Sequence, residues 1–227
     1  MKRTFFSLAL LLAVATLTAQ TKMTAREAAV KIADRILAST TYEFKNTKTG
    51  EIYKSVKKLP LDMDVKVACK YNNWHYTNGV TNMALMELGD KLGDKKYEKY
   101  VLKNMNFVFN EGNLDFFRKQ YDEAFKRDGW NAVRKLSWHM IFRGKRLDDN
   151  GPMGASLIEL QLKYPNDSFL GYINETAEHL NYGEPRLVDG TIARIWPHVN
   201  TIWADDAFMA ISFLARMGKL TDRKSVV

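Results

Sequence analysis

Two stretches of this chain repeat one plan. Gly79 opens a helix that ends at Leu92, Gly93-Asp94 turns the chain, and a second helix carries Tyr97 and Tyr100. Gly154 opens a helix that ends near Lys163, Asn166-Asp167 turns, and the next helix carries Leu170 and Ile173. Each unit reads as an inward helix, a short turn and an outward helix. Such a hairpin cannot bury its apolar face alone, so hairpins must stack, as a solenoid or a closed α/α toroid. The loops before the inward helices then gather at one end and build a pocket.

The rest of the chain reads as mostly helical. Thr24 is placed to cap a helix over 25–39, with Ala28, Ala29, Ile32, Ala33, Ile36 and Leu37 on one face. A polar stretch over 40–60 turns at Lys48-Thr49-Gly50, and a helix is expected over 63–70. The helix over 80–92 should turn Met83, Ala84, Leu85 and Leu88 inward, and 95–109 is the next helix. One or two helices fall within 114–138, and 168–180 is helical. Hairpin pieces are expected only near 51–56 and 190–195.

Lys2 and Arg3 precede a short apolar run, Phe5 to Leu17, then Thr18-Ala19-Gln20. That is the pattern of a secretory signal cleaved after Ala19, too short to span a membrane. The mature protein is therefore expected to be periplasmic or secreted, without membrane insertion. Removing Lys2 and Arg3 lowers the net charge from +8 by 2, to +6. The remaining basic residues are scattered rather than striped, which argues against a nucleic-acid partner and allows a mild attraction for an acidic glycan. Cys69 is the single cysteine, so no internal disulfide forms and stability must come from packing. It falls in an expected buried helix, and no His pairing supports a reactive thiol. His75, His139 and His179 lack metal-ligand spacing, and neither metal nor cofactor is expected.

Chemistry concentrates in Trp203-Ala204-Asp205-Asp206, which leads into a run whose apolar residues recur at helical spacing: Ile202, Trp203, Phe208, Met209, Ile211, Phe213, Leu214. Two neighbouring carboxylates beside an apolar wall can raise one pKa and keep a proton for general acid catalysis. Acids early in a helix can equally serve its N-terminal dipole. A second pair, Asp148-Asp149, sits in Leu147-Asp148-Asp149-Asn150-Gly151-Pro152-Met153-Gly154, and a third junction is Trp74-His75-Tyr76-Thr77-Asn78-Gly79.

These blocks resemble the unsaturated glycuronyl hydrolases of glycoside hydrolase families 88 and 105, most closely the unsaturated rhamnogalacturonyl hydrolases. The resemblance runs from about Thr24 to Leu220, and its most specific parts are the Leu-Asp-Asp-x-Gly-x-Met-Gly and Trp-x-Asp-Asp-x-Phe-Met blocks. It implies an all-α (α/α)6 barrel, incomplete in this chain, acting on an unsaturated uronic-acid oligosaccharide left by a polysaccharide lyase. The implied reaction hydrates the C4=C5 double bond and releases the sugar as a keto acid. By position, the resemblance makes Asp205 the catalytic acid/base and Asp148 the second carboxylate. Tyr76, Trp203 and Met209 would line the sugar subsite. Arg194 stands where the family often has a His-Lys pair, and Trp196 and His198 are further substrate contacts in the same connection. Asp149 and Asp206 are expected as caps or supports.

Two other readings stay open: a conventional inverting glycosidase using Asp148 and Asp205 as acid and base, and a non-catalytic secreted glycan-binding toroid whose carboxylates are caps. The expected layout is a signal peptide over 1–19, the N-terminal part of one (α/α)6 domain over 20–221, and a non-native tail over 222–227. That tail resembles the translation of a sequencing adapter. On this reading the family's further binding residues lie beyond Leu220.

Overall fold

A computed structural model describes residues 23–144 and 146–222. The expected signal peptide and nearly all of the expected tail lie outside the described residues. The chain divides into two compact units, 1–35 and 36–227. In the first, helix α1 (Ala25–Ser39, continuing into the second unit) starts with a reciprocal capping box. The Glu27 N–H donates to Thr24 Oγ1 at 3.2 Å, and the Thr24 N–H donates to Glu27 Oε2 at 2.8 Å. Of the expected apolar face, Ala33 is buried while Ala29 and Ile32 are exposed.

The second unit opens with a three-stranded antiparallel sheet, β1 (Phe44–Asn46), β2 (Ile52–Tyr53) and β3 (Val65–Val67), in the order β2-β1-β3. Asn46 Oδ1 accepts from the Lys48 and Thr49 N–H groups, and Gly50 takes φ 78° to close the expected turn. The helix expected over 63–70 is not there. Val65 and Val67 are buried with Lys66 between them, so the period is 2 rather than 3.6, and Phe44 pairs with Val67. Cys69 is half-buried just past this strand, its Sγ 3.6 Å from the Ser39 carbonyl, not on a helix.

Helices α2 (Tyr76–Leu92), α3 (Lys96–Val108), α4 (Glu111–Val133), α5 (His139–Arg143), α6 (Leu147–Lys163), α7 (Asp167–Glu178) and α8 (Ala204–Leu220) follow. Asp128 and Gly129 leave helical geometry and break α4, as φ 50° at Gly129 requires. One wide turn, His179–Gly183, extends α7. The hairpin plan holds: α2 returns through α3, and α6 through α7, with Gly93 at φ 67° capping the first.

Helix α6 packs between α2 and α8, and glycines set the contacts. A Cβ on Gly79 would collide with the backbone of Pro152 and Met153, and one on Gly151 with the carbonyl of Met209. A Cβ on Gly154 would lie 2.8 Å from the Phe213 ring. In each inward helix the contact falls in the first two or three turns, so the starts of α2, α6 and α8 lie at one end. Inward helices packed side by side, two of them followed by a returning helix, are consistent with an α/α toroid.

The close approach also moves two expected faces. In α2 the buried residues are Asn78, Gly79, Asn82, Leu85, Met86 and Gly89, and Ala84 is exposed. In α8, Met209, Phe213, Leu214 and Met217 are buried, whereas Phe208 and Ile211, and Ile202 just before the helix, are about half exposed. In α2 the glycine contacts decide the face, and in α8 the apolar residues that no neighbour covers stay open. No helix among the described residues is long and apolar enough to cross a membrane.

Candidate active site

Helix α6 begins seven residues before Gly154, so Asp148 and Asp149 occupy its second and third positions. Asp205 and Asp206 occupy the same two positions of α8. Neither helix has a side-chain cap, and the carboxylates face the exposed N–H groups and the positive end of the dipole. Asp205 Oδ1 accepts from the Asp206 N–H at 3.0 Å.

The third-position acid is clamped in both helices. Asp149 is fully buried and takes a bidentate pair from Arg143: Nε to Oδ2 at 2.6 Å, and Nη2 to Oδ1. Asp206, also buried, takes the same fork from Arg194: Nε to Oδ2, and Nη2 to Oδ1 at 2.7 Å. Each guanidinium lies over a tryptophan, Arg143 4.9 Å from the Trp130 centroid and Arg194 4.0 Å from that of Trp203. Buried carboxylates need such partners. The Asp149 carbonyl also accepts from Trp74 Nε1 at 2.7 Å, which ties α6 to the chain entering α2.

The second-position acids are left open. Asp205 is exposed and Asp148 half-buried. Burial raises the Asp148 pKa above the usual Asp value; Arg194 opposes this, while Asp206, Asp149 and Asp205 add to it. Three carboxylates and the Arg194 cation thus act on one group, and Asp148 keeps its proton to higher pH than an ordinary Asp. The structure brings Asp148 and Asp205 into one electrostatic neighbourhood.

The other expected site residues fall around this pair. Tyr76 begins α2, half-buried, its ring 4.6 Å from that of His75. Met209 is buried where α8 meets Gly151, so it supports the helix contact rather than lining open space. Trp203 precedes α8, 41% exposed beneath Arg194. Arg194 is committed to Asp206. His198 is exposed, and its carbonyl accepts from Thr201 Oγ1 at 2.8 Å.

Sequence reasoning missed three participants. Arg143 could have been found, because an acid bound for burial requires a cation. His75 caps α2 by accepting from the Thr77 N–H at 3.3 Å; burial lowers its pKa, against the pull of Asp148 and Asp149. Glu184, half-buried with its side chain largely covered, is hydrogen-bonded to His179 Nε2 at 3.0 Å. Burial raises its pKa, His179 opposes, and Asp206 and Asp149 add to the rise. Nothing in the sequence announces that pair: the wide turn brings it together, and Gly183 leaves room for the His179 ring. A cleft of about 890 Å³ lined by Phe109, Glu111, Gly112, Leu114, Asp115, Arg118 and Ser168 contains neither acid pair, and we assign it no part in this site. No cluster of three or more His, Cys, Asp or Glu among the described residues could hold a metal ion.

Helical hairpins around two matched, arginine-clamped acid pairs define the class of protein: an α/α hairpin protein with carboxylates gathered at the helix starts. The model for Glycosyl Hydrolase Family 88 matches residues 52–227, and the chain belongs to that family. Its fold is similar to that of a possible member of the GH105 family from Klebsiella pneumoniae subsp. pneumoniae, with 14% identity, 93% of this chain and 47% of that chain covered, and a TM-score of 0.50. A possible GH105 member from Salmonella enterica serovar Paratyphi A matches at 15% identity over 93% of this chain and 47% of that one, with a TM-score of 0.49. The chain thus spans about half the length of these structures. No curated protein matches it.

Proposed function

We propose that this chain carries the acid–base machinery of an exported glycoside hydrolase that removes unsaturated uronic acids from lyase-generated oligosaccharides, such as those of pectin or rhamnogalacturonan. The observation that carries the reading is the division of labour within each acid pair. One carboxylate is neutralised and buried by arginine, and its neighbour is left free beside the other free one. Helix caps alone would not require two guanidinium forks on buried carboxylates.

The chemistry follows from what the double bond needs. Protonating carbon takes a carboxylic acid positioned on the open side of the site, and Asp205 is the exposed member. Its proton goes to C4, with the π electrons of C4=C5 forming the new C–H bond. Water bonds to C5 and returns a proton to the carboxylate. The C5 hemiketal then opens by breaking its bond to the ring oxygen. C1 is left as a hemiacetal, which expels the remaining saccharide as an alcohol. Burial and the neighbouring acids raise the Asp148 pKa, so Asp148 adds less negative charge to the site than an ordinary Asp. Trp203 offers an apolar face to the planar unsaturated ring, and Tyr76 borders it.

The test is to give the complete gene product unsaturated disaccharides from a lyase digest and follow the ultraviolet absorbance of the double bond. Loss of absorbance with release of the second sugar supports hydration. Turnover of saturated glycans alone would replace it with conventional inverting hydrolysis.

A further inference from the structure

A substrate carrying a carboxylate meets two open acids, Asp148 and Asp205, and needs a cation to offset them. The arginine that the sequence offers for this, Arg194, is taken: its Nε and Nη2 both donate to buried Asp206. Arg143 is taken in the same way by Asp149. One arginine at the mouth differs. Arg146 stands immediately before α6, two residues from Asp148, and is exposed. Among the described residues no carboxylate pairs with it, and its side chain does not cap the helix. Its guanidinium lies 5.6 Å from the ring centroid of Trp196.

Trp196 is held out by a small hairpin. The Arg194 N–H donates to the Thr201 carbonyl at 2.8 Å and the Asn200 N–H to the Arg194 carbonyl at 2.9 Å, with Asn200 at φ 61° closing the return. The side chain of Arg194, locked on Asp206, pins the base of this hairpin to α8. Its tip leaves Trp196 65% exposed, far more than a tryptophan held only for packing. The guanidinium covers one face of the indole, no carboxylate among the described residues takes its N–H groups, and the rest of the ring is open, which matches one chemistry: a pyranose ring that stacks and a carboxylate that pairs.

We propose that Arg146 and Trp196 form a subsite for an acidic sugar, in which Arg146 receives the carboxylate and Trp196 stacks on the ring. The subsite rests on the carbohydrate reading above but not on hydration of the double bond. In this arrangement Arg194 positions the platform and does not itself touch the sugar's acid.

The experiment is equilibrium binding of a saturated galacturonic acid trisaccharide and of its methyl ester, followed by calorimetry on the whole chain. The native protein should prefer the free acid by about tenfold, the worth of one charge-assisted hydrogen bond. Arg146→Gln should remove that preference while leaving ester binding unchanged. Trp196→Ala should weaken both ligands together. Both side chains are exposed, so thermal midpoints should stay at the native value. A preference for the free acid that survives Arg146→Gln, or no binding of either trisaccharide, overturns the subsite. An intact preference without loss of double-bond absorbance would sink the hydration reading and leave the subsite standing.

Discussion

The starts of α6 and α8 carry the same device in different surroundings. Both place acids at the second and third helical positions, and both clamp the third with an arginine that lies over a tryptophan. Helix α6 is held on two sides, by α2 through Gly79 and by α8 through Gly151 and Gly154, and nearly every residue from Leu147 to Gln161 is buried. Helix α8 has one such side, and Ile202, Phe208 and Ile211 remain open. The same motif therefore gives a more deeply buried clamp on the helix held from both sides and a more open one on the helix held from one. The open acids differ in step: Asp148 is half-buried and Asp205 exposed.

Removing each clamp should separate the two settings most strongly. Arg143→Met strands Asp149, with no exposed surface, and Arg194→Met strands Asp206, at 7% exposure. A buried carboxylate that loses its partner costs about 3–5 kcal/mol. Denaturant unfolding should put Arg143→Met at the top of that range and Arg194→Met below it. Equal losses would mean that the α8 clamp is as deeply desolvated as the α6 one.

The helix contacts come next. Gly151→Ala drives a methyl into the Met209 carbonyl, backbone against backbone, so neither helix can yield by rotating a side chain. The cost should be about 3 kcal/mol. Gly171→Ala, inside α7 with nothing near its Cβ, should instead stabilise by about 0.5–1 kcal/mol, since alanine loses less backbone entropy in a helix. A neutral Gly151→Ala would contradict the close packing of α6 on α8.

How much of this could be read in the sequence depends on which force decides. The hairpin plan was legible because turn residues such as Gly93 and Asn166 mark it chemically. So was the capping box at Thr24. The acid pairs were legible as pairs, and the family resemblance, not their spacing, singled out Asp149 and Asp206 as caps or supports. The strand at Val65–Val67 was not legible: three residues are too few for a period, and Phe44, the partner of Val67, lies 23 positions away (67 minus 44). The exposed side of α8 was hidden because apolar spacing reports a face without saying whether a neighbour covers it. Glu184 and Arg146 owe their surroundings to a wide turn and a hairpin tip, and neither carries a sequence signature.

The smallest expected effect concerns Asp148. Its folded pKa is raised, so the folded state binds its proton more tightly than the unfolded chain does. The group is therefore harmless below its ordinary value of 3.8 and increasingly destabilising as pH rises through its folded pKa. Asp148→Asn should raise Tm at pH 7 by about 1–3 °C, allowing for screening at a half-exposed group, and the gain should vanish below pH 3.8. A Tm gain that is independent of pH would point to packing instead.

The central claim is that within each pair the third-position acid serves the fold and the second-position acid serves the chemistry. The most direct measurement takes Asp148→Asn, Asp149→Asn, Asp205→Asn and Asp206→Asn side by side, reading Tm and loss of double-bond absorbance in the complete gene product. Asp149→Asn and Asp206→Asn should lower Tm. Asp205→Asn should keep the native Tm and lose turnover by at least about a hundredfold, the scale of one general acid, with Asp148→Asn also slowed without loss of Tm. Native turnover in Asp205→Asn and Asp148→Asn would contradict the account.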